Sequence, residues 1–293
     1  MNNMKKLITL CLLAVSLSVT AQTSLIPDMK FRRLDTPEGL SSSQINYIYQ
    51  DSRGFVWICT PYGLNRYDGY RMKTFFSNPR DTTSMRDSYC DRIYEAADGK
   101  LWMRQGMGYC VYDPATETFE RNATRVLNEM GLSCNIEWLF IDSKRRLWVK
   151  DFENAIYCYH PDRKGDKKFT KIKIGYGANE FRPDYGISTV AELGDWLLVV
   201  TFNGELACLN GDKGEVDWVD PWMHNAGGIE NQEYRLFVDN NGNIWCNVLS
   251  FMYVYDQKQK KWYGSINDYL AYRGIHDFPE HLQMWSMLVD KND

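Results

Sequence analysis

A tryptophan returns along this chain at a nearly constant interval: Trp57, Trp102, Trp148, Trp196 and Trp245 lie 45, 46, 48 and 49 residues apart. Its surroundings return with it. An apolar run ends just before four of the five landmarks (INYIYQD, DRIYEAAD, IEWLFID, YRLFVD). A second run follows, ending at Tyr67-Asp68, Tyr112-Asp113, Tyr159-His160, Leu209-Asn210 and Tyr255-Asp256, and a last run (TFF, TFE, KFTKIKI, EVDWV, KWYGS) closes each unit. A unit of this length holds four short strands, and such a period marks propeller blades. Stacking blades radially covers both faces of each small sheet, which accounts for the consecutive apolar residues in the first run. The expected fold is all-β: a β-propeller of four-stranded blades, five complete and a sixth begun.

Each part of the unit has a physical task. Asp51, Asp142 and Asp239 end the first strand, where a carboxylate can bond to backbone N–H groups just ahead and close a turn. Gly54 and Gly242, three residues on, supply the positive φ that a short hairpin needs. The tryptophan then offers a large flat face to fill the gap between blades. The fourth unit, AELGDWLLVV, carries its landmark Trp196 on a shortened turn. Between units, ATRVLNEMG reads as a short helix capped by Asn122 and ended by Gly131.

The first 21 residues form a signal peptide: a basic start (MNNMKK), an apolar run too short for a comfortable span, and Val19-Thr20-Ala21 as the cleavage motif. Residues 22–293 are then one propeller domain, exported to the periplasm. A net charge of −4 offers no basic surface for nucleic acid or an anionic membrane. Aromatics make up 14% of the chain, which suits β-structure and surfaces that stack on sugars or peptides. Without Cys11 in the leader, seven cysteines remain, an odd number scattered through apolar runs. They read as small buried hydrophobes and not as a disulfide framework. The segment HLQMWSMLVDKND repeats the first strand and its acidic turn, with Val289-Asp290 matching Val238-Asp239, so the expectation is a chain cut within a hairpin.

The first unit, GLSSSQINYIYQDSRGFVWICTPYGLNRYDGYRMKTF from Gly39 to Phe75, resembles the two-component regulator propeller repeat. The matching residues are Gly39-Leu40-Ser41, Gln50-Asp51, Gly54, Trp57-Ile58, Thr60 and Gly63-Leu64-Asn65-Arg66-Tyr67-Asp68-Gly69. The resemblance implies the sensor region of a hybrid histidine kinase. In that family propellers precede a β-sandwich, a membrane helix and a cytoplasmic kinase, the whole acts as a homodimer, and the stimuli are polysaccharide breakdown products. It implies that this chain is not itself an enzyme, touches no nucleic acid, and meets the membrane only through a downstream segment. No cofactor is expected.

Other constellations carry less. His276 and His281 have no ligand partners at metal spacing, and His160 stands in a turn slot that is Asp in other units. No Gly-x-Ser-x-Gly elbow is present, and Gly106 and Gly108 read as a hairpin. LACLNGDKGEVDW resembles a quinoprotein-type blade, but one blade does not make a quinone site. A ligand is expected at the channel mouth, where the innermost strands begin: Asn46-Tyr47, Asp91-Arg92, Glu137-Trp138 and Tyr234-Arg235. Trp138 and Tyr234 can stack on sugar rings, and Arg92 and Arg235 can pair with uronate or sulfate. The alternatives are a secreted propeller lyase or hydrolase, and a protein-interaction scaffold.

Overall fold

The computed structural model describes residues 33–106, 108–175, 181–220 and 232–276. The leader and the chain end, on which the signal-peptide and cut-hairpin expectations fall, lie outside them. Among the described residues twenty strands form five antiparallel four-stranded sheets, each an up-and-down meander. Blade 1 is β1 (Tyr47–Gln50), β2 (Val56–Thr60), β3 (Gly63–Tyr67) and β4 (Met72–Phe75). Blade 2 is β5 (Arg92–Glu95), β6 (Leu101–Gln105), β7 (Gly108–Asp113) and β8 (Thr118–Glu120). Blade 3 is β9 (Ile136–Ile141), β10 (Leu147–Asp151), β11 (Ile156–Tyr159) and β12 (Phe169–Lys171). Blade 4 is β13 (Ile187–Leu193), β14 (Trp196–Thr201), β15 (Leu206–Asn210) and β16 (Glu215–Asp220). Blade 5 is β17 (Tyr234–Val238), β18 (Ile244–Val248), β19 (Phe251–Asp256) and β20 (Lys261–Tyr263).

The first hairpin of blades 1, 3 and 5 is one device built three times. Asp51 Oδ1 accepts from the backbone N–H groups of Arg53 and Phe55, both at 3.0 Å, while its Oδ2 accepts from Trp57 Nε1 at 2.9 Å. Asp142 and Trp148, and Asp239 and Trp245, repeat the arrangement, each indole also at 2.9 Å. One carboxylate thus closes the turn and fixes the tryptophan rotamer. Gly54 (φ +90°) and Gly242 (φ +78°) hold the left-handed position, as the sequence implies; Arg145 (φ +61°) holds it in blade 3. Asp51 is buried, which pulls its pKa up, but the hydrogen bonds from Trp57, Arg53 and Phe55 outweigh this and leave it below the ordinary value.

The core lies between blades. Trp57, Cys59 and Leu64 of blade 1 share one cluster with Ile93, Leu101 and Tyr112 of blade 2. Trp102 of blade 2 packs with Leu139 and Val149 of blade 3, and Trp148 of blade 3 with Leu197 and Val199 of blade 4. Leu198 and Val200 join blade 4 to Leu236 and Cys246 of blade 5. Six of the seven described cysteines are buried. Among the described residues two α-helices fill the margins. The expected helix α1 (Ala123–Met130) starts at Asn122, whose side chain accepts from Thr124 N–H, and stops at Gly131 with φ 105°. The second, α2 (Ile266–Tyr272), lays Tyr269 edge-on against Trp245, with ring centroids 5.3 Å apart.

Trp196 is not the fourth wedge. Leu197 pairs with Leu209 and Leu198 with Cys208, as Leu147 pairs with Tyr159 and Trp148 with Cys158. The landmark position is therefore Leu198, fully buried, while Trp196 sits two residues earlier and is 38% exposed. The cause is the tight turn at Gly194-Asp195, where Leu193 faces Trp196 directly and no Asp-x-x-Gly segment intervenes. Trp196→Ala is expected to move stability by less than ~1 kcal/mol, as exposed positions do. A larger shift of the urea midpoint would restore Trp196 as a wedge.

Candidate functional site

Each innermost strand begins at the end of the blade where its second strand finishes, so strand starts and β2–β3-type turns share one face. The innermost strands are neighbours: β5 lies beside β1, β9 beside β5, and β17 beside β13. Register confirms that Tyr47, Arg92, Trp138 and Arg235 occupy one level, opposite Cys59, Arg104, Lys150 and Asn247. Blade 4, for which the sequence suggested no residue, places Thr189 there, opposite Val200. Asn46, Asp91, Glu137 and Tyr234 precede them by one position.

The two carboxylates of this ring are already paired. Asp91 accepts from Arg104 Nε at 2.8 Å and Nη2 at 2.9 Å, a bidentate bridge across β5 and β6. Glu137 bonds Lys150 Nζ, a cation only 1% exposed on the next strand. In both, the cation stands opposite the residue that follows the carboxylate, Arg104 opposite Arg92 and Lys150 opposite Trp138, so the long side chain reaches the carboxylate diagonally. The rim arginines differ. Arg92 is exposed and sets its guanidinium 4.8 Å from the centroid of the Tyr47 ring, linking blades 1 and 2. Burial raises the Tyr47 hydroxyl pKa above its ordinary value, and the charge of Arg92 opposes that rise. Arg235 is partly exposed, with Glu233 at 3.9 Å.

The aromatic rim residues are less open than their position suggested. Trp138 is half-buried and stacked on Phe140 at 6.2 Å. Tyr234 is 2% exposed, so its ring presents no face to the mouth. Among the described residues its buried hydroxyl has no hydrogen-bond partner, and desolvation pushes its pKa up to about 12. Open aromatic surface comes instead from the neighbouring turns. Tyr62 in blade 1 is 68% exposed and Phe152 in blade 3 is 66% exposed, while Leu249 and Phe251 stand exposed in blade 5. Polar side chains behind the tips close these turns. Thr60 Oγ1 accepts from Tyr62 N–H at 3.1 Å, and Asp151 Oδ1 accepts from Glu153 and Ala155 N–H at 2.9 and 2.8 Å. Comparing the residues after each second strand would have shown an aromatic within two positions in three blades: Tyr62, Phe152 and Phe202.

Clefts open at both ends of the blades. One of about 290 Å³ lies at the mouth end between blades 2 and 3, lined by Arg86, Tyr109, Asn122, Asn135 and Phe152. Another of about 420 Å³ lies at the opposite end, between blades 4 and 5, with Trp218, Gln257, Lys260 and Trp262 on its walls. There Trp262 Nε1 donates to Asp220 Oδ2 at 2.7 Å. Among the described residues no group of three His, Cys, Asp or Glu could hold a metal ion. Among them, too, no helix is long and apolar enough to cross a membrane.

Five four-stranded meanders joined through inter-blade cores define a β-propeller. Residues 39–62, which span β1, β2 and the turn after them, match the family model described as two component regulator propeller. Histidine kinase P4 of Formosa agariphila is 37% identical over 71 residues, which is 24% of this chain and 5% of that protein. Two solved extracellular domains from B. thetaiotaomicron share the fold. The one attributed to hybrid two component system BT3049 has 20% identity and a TM-score of 0.54, covering 79% of this chain and 31% of that one. The one attributed to one component system BT4673 has 16% identity and a TM-score of 0.51, covering 75% and 30%. This chain thus spans under a third of the length of each of these relatives.

Proposed function

We propose that the chain is the exported sensing propeller of a two-component regulator, and that it recognises a polysaccharide-derived oligosaccharide at the mouth end. In this reading a histidine kinase lies on the same polypeptide or its full-length form, works as a homodimer, and receives the signal as a change in blade arrangement. The supporting observation is the exposed Arg92 guanidinium over Tyr47, flanked on the same end by the open Tyr62 and Phe152 rings. Aromatic faces stack on the apolar faces of sugar rings, and a guanidinium forks onto carboxylate or sulfate. Exposed aromatics on one face of a soluble domain commonly mark a binding surface.

The proposal favours anionic over neutral glycans, because Asp91 and Glu137 are neutralised within their own blades while Arg92 faces outward. Calorimetric titration with neutral, uronate-bearing and sulfated oligosaccharides tests it. Arg92→Ala is expected to weaken binding of an anionic ligand at least ~10-fold, about 1.4 kcal/mol, with the unfolding midpoint unchanged. Trp138→Ala is expected to weaken all ligands alike. No heat with any glycan, or unchanged affinity in both variants, overturns the reading. Turnover of the panel by the purified protein would replace it with an enzyme.

A further inference from the structure

We propose that Cys59 and Cys90 form a disulfide in the mature protein, a covalent tie between blade 1 and blade 2. Cys59 sits in the middle of β2, and Cys90 lies in the connection that leads into β5. Their Sγ atoms are 2.9 Å apart, nearer than two unbonded sulfurs ordinarily rest. Both residues are wholly buried. The approach is held by the backbone on either side: Cys90 N–H donates to Thr60 O at 3.2 Å, and Asn46 Nδ2 donates to Cys90 O at 2.9 Å. Three groups from blade 1 therefore converge on Cys90, at the junction where Arg92 crosses onto Tyr47.

Among the described residues no other two cysteine sulfurs make contact. Cys158, Cys208 and Cys246 pack in apolar clusters as small hydrophobes, which is what the odd cysteine count suggested for all seven. Cys110 shares the Cys59–Cys90 cluster and is the nearest competitor for exchange. Burial, then the neighbouring Cys90, pushes the Cys59 thiol pKa up, so the folded chain keeps it protonated and unreactive. Oxidation must therefore precede closure of the two blades. One cysteine, as thiolate, attacks a disulfide oxidant of the thiol–disulfide oxidoreductase class and forms a mixed disulfide with release of one thiol. The second cysteine attacks that mixed disulfide, the Cys59–Cys90 bond forms, and a second thiol leaves. Two electrons and two protons thus pass to the oxidant, whose disulfide becomes two thiols.

Disulfides persist only in oxidising compartments, so the bond in the cell rests on the exported reading above. Two arms separate the ideas. In the first, the reduced, denatured full chain is refolded with oxidised and reduced glutathione, alkylated, and digested without reductant for mass spectrometry. The expected result is a Cys59–Cys90 cross-linked peptide, two fewer alkylated thiols than in the reduced control, and loss of both changes in Cys59→Ser. Full alkylation of the refolded chain, or a Cys90–Cys110 link in its place, overturns the disulfide. In the second, the chain is expressed with its own leader in a Gram-negative host. Leader-cleaved periplasmic protein carrying the cross-link is expected, and leader-cleaved protein with both thiols free overturns the disulfide. A chain that keeps its leader in the cytoplasm overturns the exported reading alone, since refolding decides the disulfide by itself.

Discussion

Replacing Trp57 with alanine lowers the free energy of unfolding by about 3–5 kcal/mol, the range for emptying a large aromatic from a core. Trp57 is wholly buried, and its ring stacks on Phe75 at 5.8 Å and meets Tyr112 of the next blade edge-on at 5.1 Å. Its loss opens a void between two blades, and the surrounding sheets are too constrained by their ladders to collapse into it. It also removes the Nε1–H donor that Asp51 holds at 2.9 Å. Trp57→Phe separates the two effects. Phenylalanine keeps most of the packing but no donor, so it should cost only ~1–3 kcal/mol, the range for an orphaned buried polar partner. Urea titration followed by far-UV circular dichroism at neutral pH reads both. Equal midpoints for the two variants would mean that the packing face contributes nothing beyond the hydrogen bond.

The period, the turn aspartates and the wedge tryptophans were legible because they answer to local physics. A carboxylate two to six residues from its partners acts within one hairpin, so Asp51, Asp142 and Asp239 announce themselves. The fourth wedge escaped for the same reason. Its turn is shorter, and the eye takes the nearest tryptophan, whereas the hydrogen-bond ladder places Leu198 there. At the starts of the inner strands, the shared level of the positions was legible but the state of their side chains was not. Whether Asp91 and Glu137 are free depends on which side chains the neighbouring strand brings near, and Arg104 and Lys150 are 13 residues away from them. The burial of Tyr234 and the exposure of Tyr62 and Phe152 likewise follow from how neighbouring blades cover each other.

Glu95 is the second place where a single substitution should matter greatly, and nothing in its own blade reveals why. Blades 2 and 4 lack the turn aspartate, having Ala96 and Leu193 in its place. The residue before each is a glutamate that reaches back to a serine in the preceding turn. Glu95 accepts from Ser52 N–H at 3.0 Å and from the Ser52 hydroxyl, and Glu192 accepts from Ser143 N–H at 2.9 Å and its hydroxyl. Odd blades therefore lock their own tryptophan, and even blades clamp the blade before. Glu95 does more, because Tyr49 Oη donates to it at 3.2 Å and Arg145 of blade 3 reaches it at 3.0 Å. One carboxylate with a 2% exposed side chain thus holds three consecutive blades.

Glu95→Ala is expected to cost about 2–3 kcal/mol, because it strands the donors of Ser52 and Arg145 together. The effect carries a pH signature. Burial alone would raise the Glu95 pKa, but the Ser52 bonds and Arg145 outweigh it and hold it below its ordinary 4.5. A carboxylate with a depressed folded pKa contributes stability that is present above the unfolded value and is lost as pH falls through the folded one. The gap between wild type and Glu95→Gln should therefore be full at pH 7 and narrow below about pH 4.5 as the wild-type carboxylate is protonated. Urea midpoints taken across that interval give the answer. A gap that stays constant down through the acid range would show that the clamp acts by shape and not by charge.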